Sequence, residues 1–320
     1  MNARALLVVS TAVVIVAVLP AATAAGDGLP GHGVVANPVS APGGDVEYVA
    51  TSARHHTVLR KRALGGRNLS QLRLRGTFTI PAVAYDGSPS GLSADGRTLV
   101  LIKPRTSWPR QRTSFAVIDA KSMQVRRRFT LAGDFSFDAI SPNGRVAYLI
   151  QYLSPRDVTK YAVRAYDMRG QRLFRAPVVD KSEPDEDMSG IPLARVSDSQ
   201  GRWAYTLYDG AEHPFVHALD TEHRTAVCID LDDVRSLRGA GLELNGDRLT
   251  VSSAVMDFAV IDTTTHSVLG QRSPKRAAAA PPEDTAGTPW LLIAAPTAGL
   301  LLLAAVGRRR LNRGRAQARR

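Results

Sequence analysis

A chain of 320 residues is long enough for one large or two ordinary domains, and 26 glycines, 19 prolines and only 6% aromatics suit many short strands joined by turns. The formal charge of +12 does not point to nucleic acid, because Arg4 and seven arginines in the last thirteen residues carry eight of those charges and leave +4 for the rest. A single cysteine, Cys228, excludes an internal disulfide, and its apolar surroundings from Thr225 to Ile229 mark a small core residue rather than a reactive thiol.

Residues 1–25 have the three-part form of a secretory signal peptide: Arg4, an apolar stretch from Ala5 to Leu19, and Ala22-Thr23-Ala24 as a small-residue cleavage site. An uncleaved anchor is the alternative reading of the same residues. No cysteine follows the apolar run, which excludes a lipid-modified N-terminus.

Residues 33–270 show one pattern without a break. A Gly-containing turn recurs as Ala94-Asp95-Gly96-Arg97, Pro142-Asn143-Gly144-Arg145, Ser199-Gln200-Gly201-Arg202 and Asn245-Gly246-Asp247-Arg248. Each is followed by an apolar strand and then by a second strand closing on Asp119, Asp167, Asp220 or Asp262, at separations of 48, 53 and 42 residues. Self-similarity at this period is the signature of a repeat architecture. The third unit gives the grammar: strands over 135–141, 146–152, 161–167 and 172–176, joined by Pro-Asn-Gly and by an Asp-led turn whose carboxylate can take backbone N–H groups. The second unit repeats it with Gly91-Leu92-Ser93, Thr98–Ile102, Phe115–Asp119 and Val125–Leu131, and the fourth and fifth do the same up to a short last strand at 266–269. A degenerate first unit spans Val46–Thr51, Thr57–Leu64 and Leu69–Ile80.

These residues resemble WD-like, TolB-like and YVTN-type bacterial β-propellers; the carriers are Ser141-Pro142-Asn143-Gly144-Arg145, its variants at Ser93 and Ser197, and the Val-Ile-Asp endings at 119 and 262. The resemblance implies an all-β fold, a small propeller of about five four-stranded blades, and it is silent on function because such turns shape backbone rather than do chemistry. Six blades would require further strands hidden in the first unit, and a β-sandwich would explain the alternation but not the recurring phrase.

In such a meander the short turns share one face, and the long connections 103–114, 153–160, 177–192 and 232–239 share the other. Loops on a rigid scaffold carry recognition, so the candidate partner-binding residues are Lys103, Arg105, Trp108, Arg110 and Arg112 in a basic loop and Glu183, Asp185, Glu186 and Asp187 in an acidic one. Both also fit plain solvated loops, and the acidic run lacks Ca²⁺-loop spacing. No catalytic motif is found: Gly87-Ser88-Pro89-Ser90-Gly91 has proline where a nucleophile elbow needs serine, and the histidines lack metal-ligand spacing. Neither a cofactor nor a metal is expected.

Residues 271–289 read as a Pro/Ala-rich tether, and 290–307 as a C-terminal transmembrane helix. Trp290 to Val306 holds no charge, and as a helix it is about 26 Å long. Arg308, Arg309 and Arg310 place the basic tail, 308–320, in the cytoplasm. A cell-wall sorting signal is a lesser alternative, since Asp284-Thr285-Ala286-Gly287 lacks the required Leu-Pro. The sequence therefore leads to a single-pass cell-membrane protein holding an extracytoplasmic propeller. It would act as a binding or scaffolding module for an envelope protein or a cell-wall component, with no nucleic acid involved. The rival is an exported propeller hydrolase or lyase whose axial metal would draw on Asp138, Glu243 or Asp257.

Overall fold

The computed structural model describes residues 37–53, 55–183, 188–210, 213–232, 234 and 237–274. The signal peptide, the tether beyond 274, the membrane helix and the basic tail lie outside these residues. Among the described residues no helix is long and apolar enough to cross a membrane.

Nineteen strands form five antiparallel sheets in chain order. The first is β1 (Val39–Ser40), β2 (Val46–Ala53), β3 (His56–Ala63) and β4 (Asn68–Arg75). The second is β5 (Thr98–Ile102), β6 (Arg112–Asp119) and β7 (Gln124–Ala132); the third is β8 (Phe135–Ile140), β9 (Val146–Tyr152), β10 (Tyr161–Asp167) and β11 (Arg172–Val178). The fourth is β12 (Gly190–Ser197), β13 (Trp203–Gly210), β14 (Phe215–Asp220) and β15 (Thr225–Asp230), and the fifth β16 (Gly241–Asn245), β17 (Arg248–Ser252), β18 (Met256–Asp262) and β19 (Ser267–Pro274). The all-β, five-bladed expectation is met, with two differences. The second sheet has three full strands, and its inner position is held by a single bridge, Leu92 to Leu99. Prolines at 81 and 89 remove backbone donors on the approach, and Gly91, at φ +100°, sits where a Cβ would lie 2.4 Å from the Val100 carbonyl oxygen. The last strand also runs to Pro274, four residues into the stretch expected as tether.

The turns explain why the blades repeat. Ser141 Oγ accepts from Val146 N (2.9 Å), Asn143 Oδ1 accepts from Arg145 N (3.0 Å), and Gly144 N closes on Ser141 O (2.9 Å). Ser93, Asp95 and Gly96 reproduce this set. In the fourth blade Asp198, not Ser197, holds the position three before glycine and accepts from Arg202 N. Gly144 is obligatory in a second sense, because a Cβ there would meet the Thr98 side chain of the neighbouring blade at 2.5 Å.

The closing aspartates do what the sequence expects of them. Asp119, Asp167, Asp220 and Asp262 each accept from the backbone N–H groups two and three residues on. Those bonds favour the charged form and hold all four carboxyls below the usual carboxylate range, Asp119 down to about 2 with help from Arg126. The fourth residue after each Asp is left-handed although it is not glycine: Met123, Gln171, Arg224 and His266, at φ 53–57°.

Four apolar clusters lie between consecutive blades, around Leu59 and Leu99, Phe115 and Phe137, Tyr148 and Leu219, and Val216 and Leu249. Tyrosines four residues beyond the turn glycines bind blade to blade. Tyr48 donates to Ala120 O (3.0 Å) and Tyr148 to Thr221 O (2.8 Å), each acceptor immediately following a closing Asp; Tyr205 partners Thr263 at the same position of the fifth blade. Buried rings thereby satisfy their hydroxyls while filling the seam.

An additional hairpin crosses between inner strands. Ser90 N bonds Pro81 O and Val83 N bonds Ser88 O, and its tip then pairs with the fourth blade through Tyr85 N to Pro192 O (2.9 Å) and Asp86 N to Leu193 O (3.1 Å). It pins the second blade to the fourth across the third.

Candidate binding face and buried polar clusters

The long connections meet on one rim. Trp108 Nε1 donates to Pro155 O (2.9 Å), tying the β5–β6 loop to the β9–β10 loop, and Lys160 bridges Ser189 where the chain enters the fourth blade. Leu153, Val158 and Ile191 are exposed along this rim. Behind it Tyr85, Tyr152, Tyr161 and Tyr208 line an apolar cleft between the third and fourth blades that encloses only about 20 Å³, roughly one water and far below a small-molecule site.

The basic loop is built inward rather than outward. Asp134, at the entrance to β8, is 4% exposed; it accepts from Arg105 Nη2 (2.5 Å), Arg110 Nε (3.1 Å) and Arg110 N (2.7 Å). Arg110 also donates to Lys103 O (2.8 Å) and Phe135 O. The Arg105 guanidinium lies 5.1 Å from the Trp108 ring and 5.0 Å from that of Tyr152. Arg105, Trp108 and Arg110 therefore fix the loop's shape, while Lys103 and Arg112 are exposed. Of the acidic loop, Glu183 is exposed, and Asp185, Glu186 and Asp187 lie outside the described residues. Asp134 was not singled out from the sequence, where it reads as an ordinary residue after Gly133.

A second buried cluster joins the third and fourth blades. Arg195 on β12 pairs with Asp138 on β8, donates to Asp138 O (3.1 Å), and gives its Nε to Thr206 Oγ1 (2.6 Å). Asp138 Oδ2 is buried with no hydrogen-bond partner, and so is Nε2 of nearby His217 on β14. Burial pushes the His217 imidazole down to about 4, and Arg195 adds to the push. The three carboxylates proposed for an axial metal do not converge: Asp138 is neutralised by a guanidinium, whereas Glu243 and Asp257 belong to the fifth blade. That donor set does not fit a metal centre.

On the rim of the fourth blade, ladder parity gathers a different trio. Phe215 faces Asp230, and Leu231 N bonds Pro214 O, so His213 falls opposite Asp232. His213, Asp230 and Asp232 offer ligand atoms within 4.8 Å of one another, and His213 Nε2 is 2.9 Å from Asp230 Oδ1.

No protein-family model matches the chain, and no curated protein matches it. Solved structures are similar in fold. Hydrazine synthase from Kuenenia stuttgartiensis shares 16% identity over 74% of this chain and 65% of its own, with a TM-score of 0.43. TolB from Acinetobacter baumannii shares 12% over 74% of this chain and 53% of its own (TM-score 0.44). The Cps50 (Swd1) β-propeller domain from Myceliophteria thermophila shares 13% over 78% and 69% (TM-score 0.42). The chain thus spans less than two thirds of the first two. The neighbours include TolB-like and WD40 β-propeller proteins, and at these identities the likeness is one of fold alone.

Proposed function

We propose that this chain is an exported, membrane-held β-propeller that binds a client in the cell envelope through its long-connection rim. The observation carrying this reading is the rim itself: connections from the second, third and fourth blades are bolted to one another by side-chain and backbone bonds, while Leu153, Val158 and Ile191 remain exposed on them. A rigid surface with exposed apolar side chains suits recognition, since little order has to be gained on binding. The hydrolase or lyase alternative is not favoured, because Asp138 is paired with Arg195 on the third and fourth blades while Glu243 and Asp257 lie on the fifth.

Topology is tested by labelling. With Asp247→Cys on an exposed turn and Arg315→Cys in the basic tail, a membrane-impermeant maleimide added to intact cells should modify the first and spare the second, and the protein should stay in the membrane after alkaline extraction. Modification of both sites only after permeabilisation would contradict the proposal.

A further inference from the structure

The first and second blades diverge at the same rim and leave an open cleft of about 550 Å³, within the range of ligand sites. Its charged lining comes from separate elements: His55 between β2 and β3, Arg75 at the end of β4, Lys103 after β5 and Arg128 on β7. No aspartate or glutamate lines it. Strand alternation places these charges, since Arg127 reaches Met168 O of the third blade while Arg128 points the other way and lies over the Phe78 ring at 5.5 Å.

Arg75, Lys103 and Arg128 are exposed, come from three separate elements and have no carboxylate partner among the described residues, so no side chain lining the cleft offsets their charge. Like charges converging beside the apolar wall of Phe78 repel one another unless an anion joins them, and a cleft with such a wall concentrates the field.

We infer that this cleft binds a small polyanion carrying phosphate groups, with Arg75 and Arg128 gripping its oxygens and Lys103 supplying a point charge. The fork of an arginine matches phosphate oxygens in pairs, which a lysine does not do. The inference deepens the proposed function, because it rests on the rim being the binding face and adds a ligand class.

The experiment is titration calorimetry of the full-length chain in detergent, with tripolyphosphate, pyrophosphate and inorganic phosphate as probes in chelator-treated buffer. Tripolyphosphate should bind saturably and most tightly. The Arg75→Gln/Arg128→Gln pair should weaken it by about tenfold or more, as expected for loss of charge-assisted contacts. Arg97→Gln/Arg145→Gln makes the same change in net charge on exposed turns of the opposite face and should leave affinity within about twofold, because screening limits the reach of distant surface charges. Equal weakening by both pairs, or no saturable binding by the wild type, overturns the inference. A chain that still captures a client at the rim but ignores all three probes loses this inference alone.

Discussion

Arg195→Met should cost the folded protein about 3–5 kcal/mol, the usual penalty for removing one partner of a buried ion pair. Both side chains are almost fully enclosed, at 4% and 3% exposure, so solvent cannot take over the role of the guanidinium. The substitution also strips the partner from Thr206 Oγ1 and leaves Asp138 with neither carboxylate oxygen satisfied, since Oδ2 is unpartnered already. Methionine fills much of the volume, so the loss reports charge rather than cavity. Urea unfolding followed by tryptophan emission reads it. Adding Asp138→Asn to the variant should restore a large part of the stability, because it removes the stranded charge. An Arg195→Met protein within about 0.5 kcal/mol of wild type, the range of ordinary surface changes, would mean that the pair does not hold these blades together.

His217 gives the second large effect, as a dependence on pH. Its folded pKa of about 4 lies below the ordinary imidazole value of about 6.5, so between these values the unfolded chain takes up a proton that the folded chain refuses. Stability from this residue is therefore complete above pH 6.5 and falls as the pH drops towards 4, by about 3 kcal/mol in all. The closing aspartates act in a lower window: Asp119, held at about 2, contributes stability that is present above pH 3.8 and lost only on further acidification. His217→Asn should flatten most of the slope between pH 6.5 and 4 in unfolding experiments and leave the acid limb intact. An unchanged slope in that variant would show that His217 is not the buried neutral group described.

The blades were legible in the sequence because their turns are made by local chemistry. Asn143-Gly144 and Asp119 act on backbone groups within a few residues, so spacing alone reveals them. Asp198 shows the limit of that reading: the serine at 197 looked like the repeat, but the carboxylate beside it makes the bond. The crossing hairpin was missed because its pairing partners, Pro192 and Leu193, are more than a hundred residues away and its prolines read as loop. The basic loop was found, yet Arg105 and Arg110 turn inward. Their shared carboxylate, Asp134, comes from another element, and an arginine whose partner is remote looks the same in sequence as one facing water. The cationic cleft between the first and second blades was illegible because Arg75, Lys103 and Arg128 lie on separate elements and come together only in the fold.

Recognition on the long-connection rim can be read out by site-specific photocrosslinking in intact cells. A photoreactive residue would be placed at Lys103, Val158 or Ile191 on the rim, and at Arg97, Arg145 or Arg248 on the turns of the other face, all of them exposed or partly exposed. A discrete adduct is expected from rim positions and none from the turns. Adducts formed as readily from the turns as from the rim would contradict it.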